Sequence, residues 1–199
     1  MIELLDLVGL AVFAVSGALA AAEKRLDILG FVLFATITGI GGGTLRDVLL
    51  DTQIFWIADP VPVWICIGSA VATWFFARSF HSLRLALLWM DALGLAVFSV
   101  IGASKALSLG VPEVVAVGMG MMTASFGSLI RDTLLQRPVV LLEPDLYVTA
   151  ALLGAVTYVG LVSFDLDGNV AVWVAVLAAF VLRAAAIQFG LRLRKFEDG

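Results

Sequence analysis

Gly9-Leu10-Ala11-Val12-Phe13-Ala14-Val15-Ser16-Gly17-Ala18 returns 85 residues later as Gly94-Leu95-Ala96-Val97-Phe98-Ser99-Val100-Ile101-Gly102-Ala103, identical at eight of ten positions. The offset then holds without a gap, so that Arg46-Asp47 returns as Arg131-Asp132. Each Arg-Asp pair closes a glycine-bearing apolar stretch, Gly41-Gly42-Gly43-Thr44-Leu45 in the first copy and Gly127-Ser128-Leu129-Ile130 in the second. Both copies lie in hydrophobic sequence, so the chain reads as a duplicated membrane unit. Duplicated membrane units with interrupted helices and buried charge commonly carry solutes.

The surrounding composition fits that reading. The 199 residues are 62% hydrophobic and 14% charged, with mean hydropathy +1.09. A soluble domain carries about 25% charged residues, and lipid is the natural solvent for a chain this apolar. No basic stripe or nucleic-acid motif is present, which excludes DNA and RNA as partners. The lone Cys66 sits in apolar sequence and has no intrachain disulfide partner. The lone His81 falls in the polar linker from Arg78 to Arg84. With no Cys/His/carboxylate cluster and no nucleophile–base arrangement, neither a metal, a cofactor nor an enzyme is expected. The first apolar stretch carries Glu3 and Asp6 rather than a basic start, and it belongs to the repeat, so it is not read as a cleavable leader.

The apolar pattern predicts an all-α membrane protein with seven spans, at 4–22, 28–50, 60–78, 86–106, 113–136, 145–163 and 170–190. Each approaches the ~20 residues needed to cross the hydrocarbon, and each must be helical because lipid offers backbone groups no partners. Three spans make one repeat. An odd number of crossings turns the second copy upside down relative to the first. The expected organisation is a three-helix unit over 1–84, an inverted three-helix unit over 85–164, and a seventh helix with a basic tail over 165–199. Lys24, Arg25, Arg78, Arg84, Arg137, Arg192, Arg194 and Lys195 all fall on one side of that arrangement. The positive-inside rule then puts the N-terminus outside and the C-terminus in the cytoplasm. Glu3, Asp51, Asp59, Glu113, Asp165 and Asp167 fall on the other side, making an acidic outer mouth that concentrates cations.

Two features inside the spans point to a route for solute. The first is glycine. Gly39 and Gly41-Gly42-Gly43 sit in span two; Gly118, Gly120 and Gly127 sit in span five. Each helical glycine costs roughly 1 kcal/mol relative to alanine, so a kink or an unwound turn is expected at the triple glycine. A break there would free carbonyls to ligate a dehydrated alkali ion. Close packing is the competing reading, since Ala35, Gly39 and Gly43, and likewise Gly120, Ala124 and Ser128, form small-residue rows at four-residue spacing. Hydroxyls at Thr38, Ser128 and their neighbours either line a wet route or bond back to their own helix.

The second feature is charge. Arg46 and Arg131 would each cost at least ~2.5 kcal/mol facing lipid, so both are expected to point into the bundle. Neighbouring helix positions diverge by roughly 100°. On that ground Arg46 is not expected to pair with Asp47, nor Arg131 with Asp132. Asp6 and Asp91, which also correspond across the repeat, are the candidate partners: Arg46–Asp6 and Arg131–Asp91. Such pairs either staple helix ends or gate a permeation path. Lys105, at the end of span four, either snorkels outward or senses voltage.

The paired glycine–Arg–Asp runs at 41–47 and 127–132, the duplicated three-span unit and the extra seventh span resemble the prokaryotic branch of the trimeric intracellular cation (TRIC) channel family, over essentially the whole chain. The resemblance implies a homotrimer in the prokaryotic inner membrane, conducting potassium or sodium ions. It places a pore inside each protomer, between glycine-kinked helices two and five, with Gly41, Gly42, Gly43 and Gly127 as hinges. Arg46, Asp47, Arg131 and Asp132 would be the associated charges. The Lys-Glu-Val triplet that animal members carry, linked there to phosphoinositide binding, is absent. Bacterial relatives are also described as glycine transporters, so a secondary carrier of glycine or another small solute is the alternative.

Overall fold

The computed structural model describes residues 2–79, 81–139 and 143–194. They form eight α-helices: α1 (Ile2–Glu23), α2 (Ile28–Leu49), α3 (Phe55–Ala58), α4 (Val61–Phe76), α5 (Leu83–Ser108), α6 (Glu113–Leu134), α7 (Val148–Ser163) and α8 (Gly168–Phe189). Six are long and apolar enough to cross a membrane, α4 reaching that length through a 3-10 turn at Ala77–Ser79. The remaining apolar helix, α7, has 16 residues, about 24 Å at 1.5 Å per residue. It starts at Val148 rather than at Asp145 because residues 143–147 are used differently. Asp145 bridges to Arg192, and the Leu193 N–H donates to the Pro144 carbonyl at 2.6 Å. The basic tail is thereby tied back to the loop before α7, while its Lys195 lies outside the described residues. The short α3 was not expected from the sequence. The chain is an all-helical integral membrane protein, with Leu29, Trp64, Phe75, Val114, Trp173 and Leu177 turned outward.

Helix starts follow local chemistry. Asp27 accepts from the Gly30 N–H at 2.8 Å, Ser82 from Leu85 at 3.2 Å, and Asp167 from Asn169 and Val170, each satisfying donors that the first turn leaves unpaired. Helix ends repeat at the offset of the sequence duplication. Left-handed backbone occurs at Arg25 and Asp51, and 85 residues later at Gly110 and Gln136. The turn that donates Thr52 N–H to the Asp47 carbonyl recurs as Arg137 N–H to Asp132, both at 2.9 Å.

Packing repeats in the same way. α1 packs on α2 and α4 as α5 packs on α6 and α7; α2 meets α4 as α6 meets α7. The corresponding helices also meet each other, α1 against α5 and α2 against α6. α8 lies outside this pattern, against α5 and α7. The α1–α5 contact is built from the duplicated segment itself: Phe13 stacks on Phe98 with centroids 5.2 Å apart.

α2 and α6 are uninterrupted helices from end to end. The unwound turn expected at Gly41-Gly42-Gly43 is therefore absent, and with it the freed carbonyls. The glycines serve close packing instead, because tertiary contact outweighs a propensity penalty of a kilocalorie or so per residue.

Candidate functional site

The centre of the molecule is the seam where α2 crosses α6. A Cβ built on Gly42 would lie 2.0 Å from the Thr123 carbonyl oxygen, and one on Gly127 would lie 2.2 Å from the Thr38 carbonyl oxygen. Only a residue without a side chain permits either approach. The two contacts exchange under the 85-residue offset, since 38 and 42 correspond to 123 and 127. Thr38 and Thr123 each turn their hydroxyl back to their own helix, onto Phe34 and Met119, both at 2.6 Å. Gly41 makes ordinary contact with Ile130 and Gly127. Gly39 and Gly120 lie away from the seam: Gly39 abuts Cys66 on α4, and Gly120 abuts the Ser99 carbonyl on α5. These two are therefore packing positions.

A buried charge cluster sits at each end of the seam. At the acidic face, Asp47 is fully buried and accepts from three groups. Arg46 binds its Oδ1 at 2.8 Å, Lys105 reaches across from α5 to the same oxygen at 2.7 Å, and the Phe55 N–H donates to Oδ2 at 3.0 Å. The segment carrying α3 folds over this cluster. The Phe55 ring lies 6.0 Å from the Arg46 guanidinium and packs against Gly43, while Trp56 Nε1 donates to Thr44 at 2.9 Å. Lys105, 31% exposed, bridges cluster and surface.

At the opposite end, Arg131 is 0% exposed and fully engaged. Its Nε and Nη2 donate to the two oxygens of Asp132 at 2.8 and 3.1 Å; Nη1 donates to Asp91 at 2.8 Å and to Ser16 at 2.6 Å. Ser16 in turn donates to Asp91 at 3.2 Å. Arg137 closes this end, pairing with Glu23 of α1 and lying 3.6 Å from Asp132. Ser128, the counterpart of Gly43, shares a 2.7 Å hydrogen bond with Tyr147. Beyond Arg137 lies a cavity of about 520 Å³ lined by Lys24, Arg84, Gln136, Glu143 and Asp145 among others.

Two pairing expectations are corrected. Each arginine does bind the aspartate next to it in sequence. The directions of the two side chains diverge at the backbone, but the long guanidinium arm turns back far enough to meet the carboxylate. Arg131 also takes Asp91, whereas Arg46 does not take Asp6. No Arg46–Asp6 ion pair forms within 4.0 Å, because Lys105 and Asp47 already satisfy that end. Asp6 stays within electrostatic range of all three.

The pattern of the sequence did not single out Phe55, Tyr147, Arg137, Glu23 or Arg183. Arg183 of α8 is buried, with its guanidinium 5.1 Å from the Tyr147 ring centroid and its Nε without a hydrogen-bond partner. An arginine inside an apolar helix was the available signal. It was missed because position 183 lies outside the duplication.

Comparison with known proteins places this architecture. The family model described as "Glycine transporter" matches the chain twice, over residues 3–78 and 88–163. This chain belongs to that family. The UPF0126 inner membrane protein YadS of Escherichia coli strain K12 is 34% identical over 195 residues, covering 96% of this chain and 94% of its own. A UPF0126 membrane protein of Vibrio cholerae is 34% identical over 98% of this chain and 83% of its own. Among solved structures, the TRIC trimeric intracellular cation channel orthologue from Rhodobacter sphaeroides superposes with TM-score 0.93 at 46% identity, covering 96% of this chain and 98% of that one. A prokaryotic TRIC channel crystallised in 0.5 M KCl superposes with TM-score 0.89 at 29% identity, over 96% and 98%. The family member thus has the fold of the bacterial TRIC channels, and these similar structures are channels rather than enzymes.

Proposed function

We propose that the chain is a monovalent-cation channel, with potassium as its principal ion, and that the route runs inside each protomer along the α2–α6 seam. The observation that carries this is the seam itself: two backbone carbonyls, each packed against the glycine of the opposing helix, with a buried, carboxylate-bound guanidinium at each end. In this arrangement the seam is shut. The helices need only part at Gly42 and Gly127 for the Thr38 and Thr123 carbonyls to face a common space. Each carbonyl keeps a second lone pair beyond its helical hydrogen bond, and carbonyl oxygens are suitable ligands for a dehydrated alkali cation. The channel structures at TM-scores of 0.93 and 0.89 support the reading.

An unneutralised arginine repels a cation. Asp47 is shared between Arg46 and Lys105, with Asp6 nearby, while Asp91 and Asp132 bind Arg131, so permeation is governed by how these pairs rearrange. Asp51, Asp59, Glu113, Asp165 and Asp167 make the far face acidic and raise the local cation concentration. The lysine and arginine bias makes the opposite face cytoplasmic, with the N-terminus outside. The two halves act as an inverted pair about the seam, and the protein assembles as a homotrimer in the inner membrane, as the trimeric relatives suggest.

The second reading is a secondary carrier of glycine. The family description favours it. So does a sealed centre with a separate closure at each end, which suits alternating access. Purified protein in a planar bilayer separates the two. Discrete unitary currents reversing near the potassium potential are expected. Saturable glycine uptake into proteoliposomes, without such currents, would replace the channel with the carrier.

A further inference from the structure

A second cavity, of about 290 Å³, opens at the corner between α1, α2, α4 and the start of α5, and plays no part in the seam. It is lined by Leu26, Phe31, Trp74 and Leu83, with Arg25 and Arg78 at its rim. The floor is apolar and aromatic: Phe31 and Trp74 meet edge to face with centroids 4.9 Å apart. Among the described residues, neither arginine has a carboxylate within 4.0 Å, and no acidic side chain lines the cavity. Both cations are presented by fixed backbone. Arg25 occupies a left-handed position in the turn that ends α1, where its N–H donates to the Ala22 carbonyl at 3.0 Å; Arg78 lies in the 3-10 turn after α4.

We infer that this cavity is a binding site for an anionic phospholipid of the phosphatidylglycerol type. Two unpaired guanidiniums over an apolar, Trp-lined floor call for one occupant that is anionic at one end and hydrocarbon at the other. Arginine pairs with phosphate through parallel N–H donors. Tryptophan settles at the boundary between headgroups and hydrocarbon. The volume is that of about ten waters, which takes a headgroup phosphate and the upper part of one chain. The cavity also opens on the face where lysine and arginine collect, which the positive-inside rule assigns to the cytoplasmic leaflet, the one whose surface potential is negative. The site would hold the α1–α2 turn against the end of α4. It rests on the fold and on the orientation that the basic residues imply, and does not depend on whether the seam conducts cations or carries glycine.

The test uses the full-length protein, with native mass spectrometry against added dioleoylphosphatidylglycerol or dioleoylphosphatidylcholine. Wild type is expected to bind the anionic lipid preferentially. The double variant R25Q/R78Q is expected to lose affinity about thirtyfold, and R25K/R78K to recover part of it, since lysine restores the charge without the paired N–H donors, which separates charge loss from misfolding. R84Q, on the same face but lining the larger cavity, is expected to change affinity by less than about twofold. Brominated phosphatidylglycerol is expected to quench a component of the tryptophan emission that W74F lacks. Four results would each overturn the assignment. The two lipids could bind alike, or R25Q/R78Q could bind as wild type does. Soluble glycerol phosphate could compete as well as the lipid, making this a free-phosphate site. Finally, quenching could be absent from the intact oligomer, leaving a second copy of the chain as the occupant.

Discussion

Substituting Gly42 by alanine tests the seam most directly. The new methyl carbon would sit 2.0 Å from the Thr123 carbonyl oxygen and 3.0 Å from the carbonyl carbon. That oxygen belongs to the backbone of an unbroken helix and cannot swing aside as a side-chain tip would. Restoring an ordinary 3.4 Å contact from 2.0 Å requires α2 and α6 to move apart by roughly 1.4 Å along that line. Overpacking of this kind costs about 1–3 kcal/mol, partly offset by the ~1 kcal/mol that alanine gains over glycine within a helix. Gly118→Ala, on α6 with nothing within 4 Å of its built Cβ, gains the same propensity with no clash and serves as the control. Thermal unfolding in detergent is expected to show G42A falling by several degrees while G118A holds or rises. In bilayers, a wedge at the constriction is expected to raise open probability in G42A and leave G118A as wild type. If G42A matches G118A in both stability and current, α2 and α6 do not form the sealed constriction, and the reasoning fails.

Other consequences follow from the charge clusters. Asp47→Asn leaves Arg46 and Lys105 without their shared acceptor and should destabilise by about 3–5 kcal/mol; Lys105→Met, at a half-exposed group, should cost about 1 kcal/mol or less, both read from denaturation midpoints. A double-mutant cycle on Arg131 and Asp91 should give a coupling energy of about 1–3 kcal/mol, while the same cycle on Arg46 and Asp6 should give under about 0.5 kcal/mol; equal couplings would contradict the pairing described. Exchanging Glu23→Arg with Arg137→Glu should restore the stability that either single change loses, measured by thermal unfolding, since the two groups pair mainly with each other. Arg183→Met keeps the length and removes an incompletely bonded buried cation, so it should be neutral or stabilising; a loss above about 2 kcal/mol would show that Arg183 holds a partner beyond the Tyr147 ring.

The duplication, the membrane setting, the helical class and the recurrence of the Arg-Asp dipeptide at the 85-residue offset were all readable in the linear chain. Each depends on composition or on spacing, and both survive without coordinates. That Arg46 and Arg131 turn inward was readable too, because the cost of a guanidinium in lipid leaves no alternative. The role of the triple glycine was not. Propensity along one helix argued for a break at Gly42, but the decisive term was the Thr123 carbonyl on a helix 81 residues away, which only the crossing of α2 and α6 brings into contact. Of the arginine partners, Asp91 for Arg131 was legible from its place in the duplication, whereas reach across space settled the rest: Lys105, not Asp6, joins the first cluster, and Ser16 and the adjacent aspartates complete the set. Phe55 of α3 and Tyr147 before α7 pack on the corresponding positions Gly43 and Ser128 from segments whose sequences do not correspond, so no periodicity could reveal them. Local chemistry thus determined what must be buried and what must be helical. Which buried groups meet was decided by the packing of one half against the other, since ion pairs and close backbone contacts depend on distances that sequence separation does not encode.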